Sequence, residues 1–162
     1  MKQGRRHWIR WLAGGVAGGV AVVAAVLVLL NGERLVDGAV GWWIGGRISE
    51  AVSDTPDGEV LDLARVYDAD WDRAVWIWPY MDGEGGNKML GFRYYRDDEI
   101  LSTDDTVSRL VFVKGTDVLA DVELHRIEFQ PDLTGFSRDD ARFVVSHDST
   151  FSTLDPADAA DG

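Results

Sequence analysis

Residues 107–129 read VSRLVFVKGTDVLADVELHRIEF, and this stretch decides the fold. Residues 107–113 and 118–129 both alternate with period two around Lys114, Gly115, Thr116 and Asp117, which predicts two antiparallel strands joined as a hairpin. Upstream, Ala74, Val75, Trp76, Ile77 and Trp78 form a compact apolar run closed by Pro79, the pattern of a buried strand. Downstream, Ser137 followed by Asp139 and Asp140 predicts a capped one-turn helix leading into a last strand at residues 143–146. Val60, Leu61, Leu63, Ala64 and Tyr67 have helical spacing, so residues 59–68 are expected as a short helix. The glycine-rich residues 82–87 are expected as a loop, and residues 89–95 fit helix or strand equally. The predicted class is α+β, with an N-terminal transmembrane helix followed by a small domain of short helices and one antiparallel sheet of three or four strands. About ninety residues suffice for one modest core of this kind.

The transmembrane expectation comes from residues 11–30, twenty positions of Leu, Val, Ala and Gly opened by Trp11, with no charged or polar side chain. At about 1.5 Å per residue such a helix reaches about 30 Å, the thickness of a hydrocarbon core. A cleavable signal peptide has a shorter apolar region, about 7 to 15 residues, and a small-residue cleavage site, which residues 29–32 do not offer. An uncleaved signal anchor is therefore expected. Lys2, Arg5, Arg6 and Arg10 form a basic tail over residues 1–10 that would stay in the cytoplasm, with Trp8 and Trp11 at the membrane boundary. The rest of the chain would then lie outside the cytoplasmic membrane of a bacterium. Gly14, Gly15, Gly18 and Gly19 form overlapping small-xxx-small pairs, a helix-packing stripe consistent with a homodimer or another membrane partner.

Beyond Asn31 and Gly32, apolar positions recur at Leu35, Val36, Ala39, Val40, Trp43, Ile44, Ile48, Ala51 and Val52, which predicts an amphipathic juxtamembrane helix over residues 33–53. Trp42 and Trp43 are candidates for the outer membrane interface. Gly41, Gly45 and Gly46 each weaken an isolated helix by about 1 kcal/mol relative to Ala, so this helix needs a burial partner. Residues 54–58 read as a linker, residues 59–148 as the extracytoplasmic domain, and residues 149–162 as a disordered acidic tail.

Residues 70–80, with Trp71 and Asp72 leading into an apolar strand that ends in Pro79 and Tyr80, carry a family likeness. With the following glycine-containing segment and the Val/Phe-rich residues 110–113, they resemble a loosely defined group of small bacterial envelope, lipoprotein-like proteins. The resemblance spans about residues 59–147. It implies an extracytoplasmic location and an α+β fold and carries no reaction chemistry, since the group has no assigned activity. Many of its members have a lipidated cysteine, and this chain has no cysteine at all.

Charge and composition exclude several activities. The chain holds 16 Lys/Arg and 28 Asp/Glu, a formal charge of −12, and four of the cations precede residue 11 while every acid follows residue 31. A body so negative repels phosphate backbones, which argues against nucleic acid as a partner. The missing cysteine removes disulfides, thiol nucleophiles and thiolate metal sites. Asp68, Asp70 and Asp72 begin like a calcium loop, but Arg73 stands where that loop needs glycine and Pro79 where its bidentate Glu belongs. No metal ligand set, no cofactor and no catalytic residue is assigned. The alternative activity is a small envelope hydrolase or divalent-cation-binding domain using carboxylates with His125 or His147, which have Glu123, Glu128 and Asp148 close by in sequence; Asp97, Asp98 and Glu99, and Asp104 and Asp105, are separate acidic clusters for a divalent cation. The preferred reading is a protein-interaction or accessory module contacting another envelope protein. Aromatic side chains supply much of the energy of protein interfaces, so Trp78, Tyr80, Tyr94 and Tyr95 are the candidate contact residues.

Overall fold

The computed structural model describes residues 34–157. The chain divides into two compact units, Met1–Val36 and Asp37–Gly162, and every strand among the described residues belongs to the second. In chain order the elements are a helix α1 (Arg34–Asp54), β1 (Val60–Asp62), a one-turn α2 (Leu63–Val66), β2 (Arg73–Ile77) and α3 (Gly83–Leu90). Then come β3 (Val107–Lys114), β4 (Asp117–His125), β5 (Ile127–Phe129), β6 (Gly135–Ser137), β7 (Arg142–His147) and β8 (Ser152–Pro156).

The strands make two four-stranded sheets, ordered β4-β3-β2-β6 and β1-β7-β8-β5. The first is antiparallel throughout, and the second ends in the parallel pair β5 and β8. Alternation along β2 sends Ala74 and Trp76 into one apolar cluster and Val75 and Ile77 into another. The first cluster joins the two sheets through Phe112, Phe136, Phe143, Val145 and Leu154, and takes in Ile44, Ile48 and Val52 of α1. The second lies under α3 and the loop after it, with Leu90, Tyr95 and Leu101 against Val111 and Val113. The sheet containing β2 is thus covered on both faces, which is why that strand is apolar from Ala74 to its end.

Several expectations need correction. A single sheet of three or four strands is replaced by two sheets, because β1, β5 and β6 have three residues each and β8 five, too short to display a period. The helix expected at residues 59–68 is divided into β1 and α2, with Asp62 capping the turn through Ala64 N–H. The expected long arm 118–129 breaks at Arg126, whose φ of 56° turns the chain out of one sheet and into the other. Arg126 N–H donates to Thr106 O at 2.8 Å, while its carbonyl accepts from Ser152 N–H at 2.9 Å, so one residue bonds to both sheets. The loop expected at residues 82–87 is the helix α3, started by the Asp82 carboxylate on Gly85 N–H and closed by Gly91 at φ 80°. Ser137 belongs to β6, and its hydroxyl pairs with Asp140 in a turn that is not helical. The tail expected to be disordered from residue 149 contains β8, with Leu154 fully buried.

No helix among the described residues is long and apolar enough to cross a membrane, which removes the transmembrane helix from the described fold. The 21-residue α1 has the length but carries Arg34, Asp37, Arg47, Glu50 and Asp54. The apolar stretch 11–30, the basic tail, Trp8, Trp11 and the stripe Gly14, Gly15, Gly18 and Gly19 lie outside the described residues.

Candidate functional site

β2 ends at Ile77, and the chain leaves the sheet through Trp78, Pro79 and Tyr80. Pro79 has no N–H to continue a ladder. Trp78 is half-buried against the main core, and Tyr80 projects 65% of its surface into solvent while holding φ at 64°. A bulky residue in the left-handed region is uncommon and has to be held there by its surroundings. Next to this corner the two sheets part. β6 accompanies β2 only as far as Val75, and β5 has already turned away at Arg126.

The parting leaves a cavity of about 180 Å³ at the seam. Trp76, Trp78 and Pro79 form one side, Ile127 and Phe129 of β5 another, and Pro131 and Phe151 close it. Its polar groups are few. Ser108, the one buried polar residue of the described core, donates its hydroxyl to Ile127 O at 3.3 Å across the seam. The Trp76 indole N–H, in a side chain only 2% exposed, has no acceptor among the described residues. Buried donors are nearly always paired, and this one is enclosed by the packing around the indole. Asp105 and Glu128 stand at the rim, and neither Lys nor Arg contributes to the wall.

The other aromatic candidates separate. Tyr95 is buried and donates its hydroxyl to Asp121 at 3.0 Å, so its expected role as a contact residue is withdrawn. Tyr94 is half-buried and packs edge-on against Tyr95, with ring centroids 4.8 Å apart. Asn87 of α3 fixes both, its side-chain oxygen accepting from Tyr94 N–H and Tyr95 N–H at 2.8 Å each. Burial pushes the Tyr95 hydroxyl far above its ordinary range, and the Asp121 charge adds to this. Burial likewise raises Asp121, against the opposing pull of Arg109, which donates to it at 3.0 Å. Arg109 also reaches Glu123 at 2.6 Å. Burial works to lower Arg109, but the neighbouring carboxylates raise it on balance. The trio is a satisfied structural network under α1.

Trp42 and Trp43 lie on the outer side of α1, 83% and 53% exposed. The Arg47 guanidinium stacks over Trp43 at 5.0 Å. Between them and β4 runs an open groove of about 780 Å³ that reaches Arg109, Asp121, Glu123 and His125. The tryptophans are exposed because α1 turns its other side, through Gly41, Ile44, Gly45 and Ile48, onto the domain.

The alternate carboxylates before β2 and one of the two histidines are drawn into structural contacts. Asp68 pairs with Arg138 at 2.8 Å, Asp70 pairs with Lys114, and Asp72 accepts from Gly115 N–H at 2.7 Å. These three alternate carboxylates thereby tie the β3–β4 turn and the residue after β6 to the entry of β2. His147 contacts Thr55 O through Nε2 and Ser152 Oγ through Nδ1, both at 2.9 Å. The carbonyl can only accept, so Nε2 donates to it, while the serine hydroxyl can serve as donor or acceptor to Nδ1. His125 is exposed at the end of β4. Among the described residues no three His, Asp or Glu side chains stand close enough to hold a metal ion.

Sequence reasoning reached Trp78 and Tyr80 but not the cavity beside them. The residues that complete it, Ser108, Phe129 and Phe151, are dispersed over the chain, and only the chain turn at Arg126 brings them together. Comparison of the chain with protein-family models, with curated proteins and with solved structures yields no match.

Proposed function

We propose that this domain is a protein-interaction module whose docking point is the corner formed by Trp78, Pro79 and Tyr80. The observation that supports it is Tyr80, a large aromatic side chain presented to solvent from a left-handed backbone and next in the chain to Trp78 and Pro79, which line an aromatic cavity. Burying a tyrosine or tryptophan yields about 1.5 to 3 kcal/mol, and leaving one exposed at a constrained backbone position forgoes that gain. A surface that retains such a residue fits recognition better than folding. The location of the module, outside the cytoplasmic membrane as part of the cell envelope, is proposed from the apolar and basic N-terminal sequence alone.

The test is photocrosslinking in intact cells from residue 80, with a matched probe at the exposed Asp139. A discrete protein adduct formed from position 80 and absent from position 139 is the expected outcome. The same adducts from both positions, or none from position 80, would overturn the docking role.

A further inference from the structure

The outer side of α1 supports a second contact, which rests on the envelope location proposed above and not on the Trp78–Tyr80 corner. We propose that Trp42, Trp43 and Arg47 seat the N-terminal part of α1 in the headgroup layer of a phospholipid bilayer, with the helix from Glu50 onward lifted clear of it.

The exposure of the two tryptophans is built into the seating of α1. A Cβ at Gly41 or Gly45 would stand 2.1 Å from Asp121 O or 3.0 Å from Glu123 O, so the helix cannot roll to hide Trp42 and Trp43 without giving up that close approach. Ile44, Ile48 and Val52 hold the same rotation by lying in the main core. Trp42 is left 83% exposed and Trp43 53%. Tryptophan is enriched where hydrocarbon meets water, its ring lying at the level of the headgroups. The Arg47 guanidinium, 5.0 Å from the centre of the Trp43 ring, adds a cation suited to lipid phosphates. Along the exposed side the order is Trp42, Trp43, Gly46, Arg47, Glu50, Asp54, aromatic and cationic first and acidic last. A phosphate-bearing surface attracts the first group and repels the second, so the contact ends where the acids begin. The order also follows the chain. Leu30, the end of the uncharged apolar stretch, precedes Trp42 by twelve positions and Asp54 by twenty-four. The residues closest in the chain to lipid-compatible sequence are therefore those with lipid-compatible side chains. That agreement names lipid over a protein partner or a second copy, neither of which requires it.

The experiment uses the full-length chain with phosphatidylcholine vesicles. The chain has no cysteine, so G46C takes a single nitroxide label, at a position where a Cβ meets nothing within 4 Å and with both tryptophans kept. Labels at D54C and D139C, both exposed positions, are the comparisons. At position 46, relaxation by oxygen should exceed relaxation by a water-soluble nickel chelate, placing the label within about 10 Å of the headgroup boundary. At positions 54 and 139 the nickel chelate should dominate. Adding W42S and W43S, at two side chains more than half exposed, should return position 46 to the aqueous value. An aqueous value at position 46 with the tryptophans present, or a lipid value that survives W42S and W43S, overturns the proposal. A lipid value at position 54 overturns it as well, because the acidic end would then lie in the bilayer. Dipolar broadening between labels at position 46 also overturns it, by assigning this side of α1 to a second copy. If the chain floats with the vesicles and position 46 is aqueous, the contact fails and the membrane location stands. If the chain does not float, the membrane location fails and the contact with it. Neither result bears on the adduct from position 80.

Discussion

Asp121 is the residue on which the most separate parts of the fold converge. Its carboxylate accepts from Tyr95, which comes from the loop after α3, and from Arg109 of β3, while its own main chain supports α1. Tyr95→Phe removes one donor from a buried charge and should cost about 1.5 to 3 kcal/mol in urea unfolding. The Tyr95 hydrogen bond lowers Asp121, so the variant should also raise the Asp121 titration further, read from its carboxyl ¹³C shift. The directions of the shifts set the pH dependence. Asp121 is raised above 3.8 in the folded protein, so its stabilising contribution is complete below that value and is lost as pH rises through the folded midpoint. Asp70, Asp98, Asp104 and Asp148 are lowered below 3.8 by hydrogen bonds from Lys114, Arg96, Thr106 and Phe151. Their contribution is present above 3.8 and lost as pH falls through their folded midpoints. The carboxyl titrations should therefore split, Asp121 above 3.8 and these four below it, and Asp121→Asn should abolish the upper one alone. None of this was legible in the sequence. Tyr94 and Tyr95 are adjacent and chemically the same; Asn87, seven and eight residues upstream, fixes the backbone of both, and Tyr95 is the one whose hydroxyl reaches Asp121.

At the scale of elements, α1 shows how a helix with poor intrinsic propensity is kept. Gly41 and Gly45 were legible as weak points that need a partner, but the sequence does not say that they are the points of contact. A Cβ at Gly41 would stand 2.1 Å from Asp121 O, and one at Gly45 would stand 3.0 Å from Glu123 O, whereas a Cβ at Gly46 meets nothing within 4 Å. The three glycines thus predict opposite outcomes for one substitution. Gly41→Ala gains about 1 kcal/mol of helix propensity but must push α1 off β4, an overpacking cost of about 1 to 3 kcal/mol, and should be net destabilising. Gly46→Ala keeps the propensity gain without the clash and should stabilise by about 0.5 to 1 kcal/mol. Paired urea melts of the two variants check the assignment, and equal shifts would place α1 away from β4. The same physics hid α3. Its glycines read as a loop, yet Gly83 and Gly86 lie where a Cβ would strike Arg96 O and the Tyr95 ring, and Asp82 and Gly91 supply the caps. Replacing the cap by Asp82→Ala should cost about 1 kcal/mol.

For the whole molecule, what the sequence revealed and what it hid divide by strand length. β2, β3 and β4 run for five to nine residues with visible apolar patterning, and the sheet they build was readable as a sheet. The second sheet is assembled from strands of three to six residues drawn from both ends of the domain, and only long-range pairing makes them strands. β8 is the critical one. It lies between β7 and β5, is the one described strand bonded to β5, and carries Leu154, which is fully buried. The composition of residues 149–157, small and polar apart from Phe151 and Leu154, suggests a tail that could be removed without consequence. The topology predicts otherwise. Leu154→Ala should cost about 2 to 5 kcal/mol, the range for deleting a fully buried leucine side chain. Ending the chain at Asp148 should release β5 as well as β8 and take away Phe151, Ile127 and Phe129 from the seam. The truncated chain should then lose the cooperative urea transition. If a folded remnant survives, the indole resonances of Trp76 and Trp78 should move far more than that of Trp71, which packs on Phe112 and Phe136 away from β8. An unchanged transition with unmoved Trp76 would mean that β5 holds its place without β8, and with it the wall of the seam cavity.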